Sequence, residues 1–276
     1  MAPNDASAAT PESVAPAQFR TGFVAIVGRP NVGKSTLTNA LVGQKVSITA
    51  DKAQTTRHRI HGILTTPDTQ FVFVDTPGYQ TKHGGALNRS MNRAVMSALS
   101  DVDCIVWVVE ALRYGAPDQQ VLRLLPKSTP VVLVISKTDL AQPRDRLLPF
   151  IQKLAAEREF AAIVPVSARR GQQLDDLLAE IRKHLPEGEP MFDADDFTDR
   201  STRFLSAETI REKVFRLVGD ELPYRSTVQI DKYEEGEGLQ RIYATVLVDS
   251  DNHKAILIGA NGERIKRIAS EARVDL

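Results

Sequence analysis

The fold of this chain is decided by the stretch Gly28-Arg29-Pro30-Asn31-Val32-Gly33-Lys34-Ser35. It fits the pattern G-x-x-x-x-G-K-[ST], it follows the apolar run Phe23–Val27, and a helical pattern begins where it ends. A glycine-rich loop between a strand and a helix directs backbone N–H groups and the positive end of the helix dipole at phosphate oxygens. We therefore predict a phosphate loop that continues to Thr36, with Lys34 at the β- and γ-phosphates of a nucleotide and the Ser35 hydroxyl on Mg²⁺.

The sequence around this loop alternates short apolar runs with helical periodicity. Residues 59–66 are followed by Pro67 and Asp68 and then by the apolar run Phe71–Val74, and this order predicts a hairpin. The whole pattern predicts an α/β P-loop NTPase domain over residues 21–185, with a mostly parallel sheet and helices on both faces. The apolar runs, typical of buried strands, are Phe23–Val27, Phe71–Val74, Cys104–Val109, Val131–Ile135 and Ala162–Val166.

Two motifs are candidates for completing a Mg²⁺ site. Asp75-Thr76-Pro77-Gly78 ends a predicted strand, where the carboxylate can hold Mg²⁺ through water and the Gly78 N–H can reach a γ-phosphate. Gln54-Thr55-Thr56-Arg57 lies in a polar loop, and one of its threonine hydroxyls can complete the metal shell when the γ-phosphate is present. We favour Thr56 for this role, with Thr55 as the alternative.

A third motif predicts which base is bound. Ser136-Lys137-Thr138-Asp139 follows an apolar strand, and its ionised aspartate, an acceptor only, matches the two N–H donors of guanine and finds no such pair on adenine. The Lys137 stem can cover the base. The backbone of Ser167 and Ala168, at the end of the last strand, can meet the base carbonyl. The motif therefore favours guanine and disfavours an ATP-using P-loop kinase.

The remaining sequence has a different order of elements. Charge is unevenly distributed, with a balance of +7 over residues 21–185 and −6 over residues 186–276. Six acids and no base lie in Glu187–Asp199, so residues 186–200 are predicted to be an acidic linker. Residues 201–276 then predict the order α-β-β-α-α, a small α+β module. Any nucleic-acid contact must be local, since no part of the chain is uniformly basic.

Composition excludes several classes of protein. The only cysteine, Cys104, excludes a disulfide framework and a cysteine-built metal site. No uncharged apolar run approaches the length of a membrane-spanning helix. Residues 1–20 are rich in Ala, Pro and Ser, which predicts a disordered tail and not a signal peptide. We expect a protein of the reducing cytoplasm.

The C-terminal module carries a candidate RNA-binding loop. Its last two predicted helices are separated by Gly259-Ala260-Asn261-Gly262, within an apolar frame. This arrangement resembles the type II KH domain, whose GxxG loop holds four backbone nucleotides of single-stranded RNA. Lys254, Arg264, Lys266 and Arg267 add local positive charge. The alternative is an ordinary Gly-Asn-Gly turn between helices. A type II KH domain has a third strand after these helices; because the sequence ends at Leu276, we expect this strand to be lacking.

Taken together, the motifs GRPNVGKS, QTTRHRI, DTPG, SKTD and VSA resemble those of the translation-factor-type GTPases and, within them, of the Era family. The resemblance covers residues 21–276. Two positions depart from the usual pattern. Ser136 stands where the base-binding motif usually has asparagine, and Tyr79 stands where Ras-like GTPases have a glutamine that orients water. The second departure implies slow intrinsic hydrolysis.

The resemblance implies a Mg²⁺-dependent GTPase that alternates between GTP and GDP. It implies catalytic roles for Asn31, Lys34, Asp75 and Gly78, with Asn31 holding K⁺. The implied metal ligands are Ser35, Thr56 and Asp75. The implied nucleotide-binding residues are Gly28, Arg29, Pro30, Asn31, Val32, Gly33, Lys34, Ser35, Thr36, Asp75, Thr76, Pro77, Gly78, Tyr79, Ser136, Lys137, Thr138, Asp139, Ser167 and Ala168. The implied RNA-binding residues are Lys254, Gly259, Ala260, Asn261, Gly262, Arg264 and Lys266.

The resemblance also implies partners. They are the single-stranded 3′ end of 16S rRNA and the small ribosomal subunit, whose assembly such a protein assists. It implies a cytoplasmic monomer with peripheral contact to the inner face of the cell membrane. The alternative, suggested by Tyr79, is an RNA-binding module whose nucleotide site binds GTP but barely hydrolyses it.

Overall fold

The structure is a computed structural model that describes residues 18–50, 55–57, 59–80, 86–219, 222–237 and 239–276. The predicted N-terminal tail therefore lies outside the described residues up to residue 17, as does Gln54 of the predicted switch motif. Within the described ranges, none of the helices combines the length and apolarity needed to cross a membrane.

A six-stranded sheet forms the first domain, with the strand order β2-β3-β1-β4-β5-β6. All neighbouring strands are parallel except β2 and β3, which form the predicted hairpin. The central strands consist of apolar residues that are buried on both faces, including the fully buried Trp107. The strands are β1 Arg20–Val27, β2 Ile60–Thr65, β3 Thr69–Asp75, β4 Cys104–Glu110, β5 Val131–Ser136 and β6 Ala162–Pro165.

Helices cover both faces of this sheet, so the predicted fold class is confirmed. Leu37 of α1 and Ile181 of α5 pack on one face, while Val95 of α2, Val121 of α3 and Leu154 of α4 pack on the other. The helices are α1 Lys34–Val42, α2 Ala86–Ser100, α3 Ala116–Leu124, α4 Leu147–Ala155 and α5 Leu174–Arg182.

The second domain has the predicted order α-β-β-α-α. Its described residues contain a two-stranded antiparallel sheet, and a small core forms around Val214, Leu257 and Ile268. Its first helix begins directly after Ser201, whose hydroxyl caps it by accepting a bond from the Phe204 N–H at 3.3 Å. The elements are α6 Thr202–Leu217, β7 Ser226–Gly236, β8 Leu239–Val248, α7 Asp251–Ile258 and α8 Glu263–Asp275.

The acidic segment between α5 and α6 lies along the edge of the first sheet. The Ile63 N–H of edge strand β2 donates to the Phe197 carbonyl at 2.9 Å, and the Thr198 hydroxyl donates to the His61 carbonyl at 2.7 Å. The Gln70 side chain accepts bonds from the backbone N–H groups of Met191 and Phe192 at 2.7 and 3.0 Å. The segment therefore covers an edge strand whose backbone groups would otherwise be open to pairing.

Candidate functional site

The phosphate loop joins β1 to α1 and lies in a cavity of about 500 Å³. Gly33, at φ 99°, caps the helix. The Lys34 ammonium is buried and donates to the Arg29 carbonyl at 2.9 Å. Burial lowers the pKa of Lys34 to about 8, although Asp75 acts in the opposite direction. Phosphate oxygens bound in the loop would favour the charged form again.

Three oxygen-bearing side chains predicted to hold Mg²⁺ come together beside this loop. The Ser35 hydroxyl donates to Asp75 Oδ2 at 2.8 Å and lies 2.9 Å from the Thr56 hydroxyl, which is itself 3.4 Å from Asp75 Oδ2. Asp75 is fully buried, and burial raises its pKa. Its Oδ1 atom has no hydrogen-bond partner within the described part of the chain. A hard cation that prefers oxygen ligands fits this donor set.

The same geometry separates the two threonine candidates. The Thr56 hydroxyl faces Ser35 and Asp75, whereas the Thr55 carbonyl accepts a bond from the second domain. The structure therefore favours Thr56, as the sequence analysis does, although its role as a ligand stays a prediction.

Gly78 lies where the end of β3 approaches the phosphate loop. A Cβ atom at this position would lie 2.7 Å from the Pro30 Cα atom, so any side chain would displace the loop. The next residue, Tyr79, donates its N–H to the Gly28 carbonyl at 3.3 Å, and its side chain packs against the core on the α2 face. The ring thus packs beside α2, and that Tyr79 does not orient a water molecule stays a prediction.

The predicted base-binding residues are held by bonds between loops. The Ser167 hydroxyl donates to Asp139 Oδ1 at 2.7 Å, which fixes the carboxylate and leaves its other oxygen for a base. Lys137 has the left-handed φ of 57° and donates to the Asn31 carbonyl at 2.7 Å. Ser136, the residue that departs from the family pattern, donates to the Val32 carbonyl at 2.6 Å. The shorter side chain thus still ties the base loop to the phosphate loop.

An ion-pair network that the sequence analysis did not include surrounds Glu110, at the end of β4. Its Oε2 atom lies 3.2 Å from both Arg29 Nη2 and Lys137 Nζ. Arg29 also contacts Asp118 Oδ1 at 3.1 Å, and Asp118 accepts the Gly115 N–H at the start of α3. The one signal for it in the sequence was the charged residue Glu110 directly after the apolar run Cys104–Val109. The network joins the phosphate loop to the base loop.

The GxxG loop lies between α7 and α8. Gly259 has a φ of 74°, and a Cβ atom there would lie 2.8 Å from the Arg264 Cβ atom, so glycine is required. Lys254 of α7 and Lys266 of α8 are exposed. Arg264 instead donates to the Ile256 carbonyl, where it caps α7. The lysines are therefore better placed than Arg264 to contact phosphates, and all these RNA-binding roles stay predictions.

Helix α6 of the second domain contacts the predicted switch loop directly. Arg211 donates to the Thr55 carbonyl at 2.5 Å and is paired with Glu208 at 2.5 Å. In the opposite direction, Arg57 donates to the carbonyls of Pro223 and Ser226 at 2.7 and 2.9 Å. Both sequence neighbours of Thr56 therefore contact the second domain.

Further charged side chains of α6 and α8 contact the first domain just before this loop. Lys45 lies 2.5 Å from Glu212 and 2.8 Å from Asp275, and Arg216 donates to the Thr49 carbonyl at 3.1 Å. Hydrogen bonds from Lys213 and Lys45 lower the pKa of Asp275 to about 2. Sequence reasoning missed these residues. Many of the buried side chains of α6 are polar or charged, so the helix has no apolar stripe that would indicate an interface.

Comparison with known proteins shows where this geometry recurs. Residues 23–137 match the family model described as "50S ribosome-binding GTPase", and residues 221–276 match the KH domain model. GTPase Era of Bordetella avium (strain 197N) is 61% identical over 258 residues, which are 94% of this chain and 87% of that protein. GTPase Era of Chromobacterium violaceum is 53% identical over the same shares of both chains. The likeness extends over nearly the whole chain and not over the phosphate loop alone.

A solved structure is similar over both domains. It is the crystal structure of Era in complex with MgGDPNP and nucleotides 1506–1542 of 16S ribosomal RNA, with a TM-score of 0.88 and 39% sequence identity, covering 93% of this chain and 88% of that chain.

Proposed function

The chain belongs to the Era family of GTPases, and from that premise we propose that it binds the 3′ end of 16S rRNA in a GTP-dependent manner while the small ribosomal subunit is assembled. Its first domain binds guanine nucleotide with Mg²⁺ and hydrolyses GTP to GDP and phosphate. The alternative, a module that binds GTP but barely hydrolyses it, is disfavoured by 61% identity to a GTPase along most of the chain.

One observation carries the GTP dependence in this proposal. Thr56 faces the predicted metal site, while its neighbours Thr55 and Arg57 are bound to the second domain. When γ-phosphate and Mg²⁺ hold the Thr56 hydroxyl, the same loop presents the Thr55 carbonyl to Arg211. When the γ-phosphate is lost, the Thr56 hydroxyl is no longer held at the metal site. The loop can then move, and its contacts with the second domain are lost. GTP thus favours one arrangement of the RNA-binding domain.

Hydrolysis is supported by residues that position charge. Lys34 and the backbone N–H groups of the phosphate loop bind the phosphates, and Gly78, whose lack of a side chain lets the end of β3 approach Pro30, can bring its N–H to the γ-phosphate. Bound Mg²⁺ supplies neutralisation of the charge that develops on the phosphate oxygens. Asn31, held at a left-handed φ of 64°, is the proposed residue for K⁺, which would supply further positive charge.

RNA binding is assigned to the GxxG loop of residues 259–262. The related Era structure contains nucleotides 1506–1542 of 16S ribosomal RNA, and that likeness supports the same RNA as the ligand here. We place the protein in the cytoplasm as a monomer on the small subunit. Peripheral contact with the membrane stays a prediction of the resemblance.

A double substitution tests the RNA site. Ala260→Asp with Asn261→Asp places two carboxylates where phosphates are expected, so affinity for a single-stranded 16S 3′-end oligonucleotide should fall by more than about tenfold in fluorescence anisotropy. The matched control is Ala269→Asp with Ser270→Asp, at exposed positions of α8. GTP affinity should not change in either variant. Undiminished RNA binding by the first variant would place the RNA site elsewhere.

A further inference from the structure

The exposed face of helix α2 carries positive charge and no negative charge. From Thr76 to Ser100 the sequence contains no Asp and no Glu. The helix buries Met91, Val95 and Leu99 against the sheet. The opposite face presents Arg89 and Arg93, which are one helical turn apart, to solvent.

Several cations of the first domain are paired with carboxylates. Arg29, Arg113 and Arg182 each lie within 3.2 Å of a carboxylate. Arg89 and Arg93 form no ion pair with any residue in the described ranges. Within those ranges, no carboxylate of the chain neutralises their charge.

A groove of about 510 Å³ lies beside them, which we call the α2 groove. Its lining combines the two guanidinium groups, an amide, an aromatic ring and a half-exposed methionine. The amide of Asn92 donates to the Gln80 carbonyl at 2.8 Å, so the groove wall is joined to the backbone that follows Gly78. The lining residues are Tyr79, Arg89, Asn92, Arg93 and Met96.

We propose that the α2 groove binds the phosphate backbone of RNA, as a second contact in addition to the GxxG loop. Arginine forks pair with phosphate oxygens, and side chains four residues apart on a helix lie roughly 5–6 Å apart, so both can contact one strand. Tyr79 and Met96 offer an aromatic ring and an apolar surface to an unpaired base.

RNA is favoured over an acidic protein because the second domain already holds an RNA chain in the proposed function, on which this inference rests. A tethered strand reaches a second site at a high effective concentration. Binding there would place RNA next to Tyr79, which directly follows Gly78 in the sequence.

The test compares two variants of equal net charge. Arg89→Glu with Arg93→Glu removes the α2 contact, while Arg123→Glu with Lys127→Glu makes the same charge change at exposed positions at the end of α3. Affinity for protein-free 16S rRNA is measured by filter binding with a non-hydrolysable GTP analogue over a range of salt concentrations. We expect the first variant to bind about tenfold more weakly than the second, with a salt slope smaller by about 1.5.

A short 3′-end oligonucleotide separates this inference from the proposed function. If wild-type protein does not bind the oligonucleotide, the proposed function fails. If all three proteins bind it equally and only the α2 variant loses affinity for long RNA, the α2 contact is supported. Equal affinity of the two variants for long RNA overturns it. So does an α2 variant that binds naked RNA normally but fails on intact small subunits, because the partner of the groove is then a protein.

Discussion

Ser136→Ala should weaken the connection between the phosphate loop and the base loop. The Ser136 hydroxyl donates to the Val32 carbonyl at 2.6 Å, with the Val109 carbonyl at 3.2 Å. Val32 and Val109 are fully buried, and Ser136 is 6% exposed. Alanine removes the donor, and water has little access to replace it.

The size of the effect follows from this burial. A neutral hydrogen bond contributes about 1 kcal/mol net, and a buried carbonyl left without a partner costs about 1–3 kcal/mol. We therefore expect a loss of about 2 kcal/mol, and because the bond exists without nucleotide, most of it should reduce the stability of the fold. At about 2–4 °C per kcal/mol, Tm should fall by roughly 4–8 °C. The part that loosens the phosphate loop, less than about 1 kcal/mol, should raise Kd by about two- to fivefold, equally for GTP and GDP.

Calorimetric titration with GDP and a non-hydrolysable GTP analogue measures the change in Kd, and a thermal melt measures the change in Tm. Ser136→Thr keeps the hydroxyl and should retain most of the affinity, and Ser128→Ala, at an exposed position, should change nothing. The reasoning is refuted if Ser136→Ala leaves both Kd values and Tm unchanged, or if it affects only one of the two nucleotides.

Three further predictions concern the nucleotide site. Asp139→Asn should weaken GTP binding and shift preference toward xanthosine nucleotides, since an amide donor meets the xanthine carbonyl; an unchanged GTP:XTP affinity ratio excludes Asp139 from base recognition. Turnover should be faster in K⁺ than in Na⁺, and Asn31→Ala should abolish the difference; equal wild-type rates in the two salts contradict this. The pKa of Lys34 is lowered to about 8 without nucleotide, and bound phosphates should raise it, so GTP affinity should be full below pH 8 and fall up to about tenfold per pH unit above it. Titration from pH 7 to 9 checks this, and a flat profile counts against it.

The sequence predicts the parts of the site that lie within single loops. The phosphate loop, Asp75 and Asp139 each follow an apolar strand, and parallel strands bring their carboxyl ends to one edge of the sheet. That topology requires only the order of strands and helices, which apolar runs mark clearly. Residues that act through short local motifs could therefore be named before the structure.

The parts that depend on distant partners could not be predicted. Glu110 is 81 residues from Arg29, and Arg211 is 156 residues from Thr55, so neither pair leaves a local pattern. Helix α6 shows the same limit, because polar residues such as Glu212 are buried against the other domain. The acidic composition of residues 186–200 predicted a linker and gave no sign of its pairing with β2.

The claim that GTP controls RNA binding through Thr56 is tested most directly by RNA affinity in two nucleotide states. The measurement is the Kd of the wild-type chain for the 16S 3′-end oligonucleotide, saturated first with a non-hydrolysable GTP analogue and then with GDP. Coupling of about 1–3 kcal/mol predicts binding about 5- to 150-fold tighter with the analogue. Equal affinities in the two states would contradict the account, because the contacts of Thr55 and Arg57 with the second domain would then not depend on the γ-phosphate.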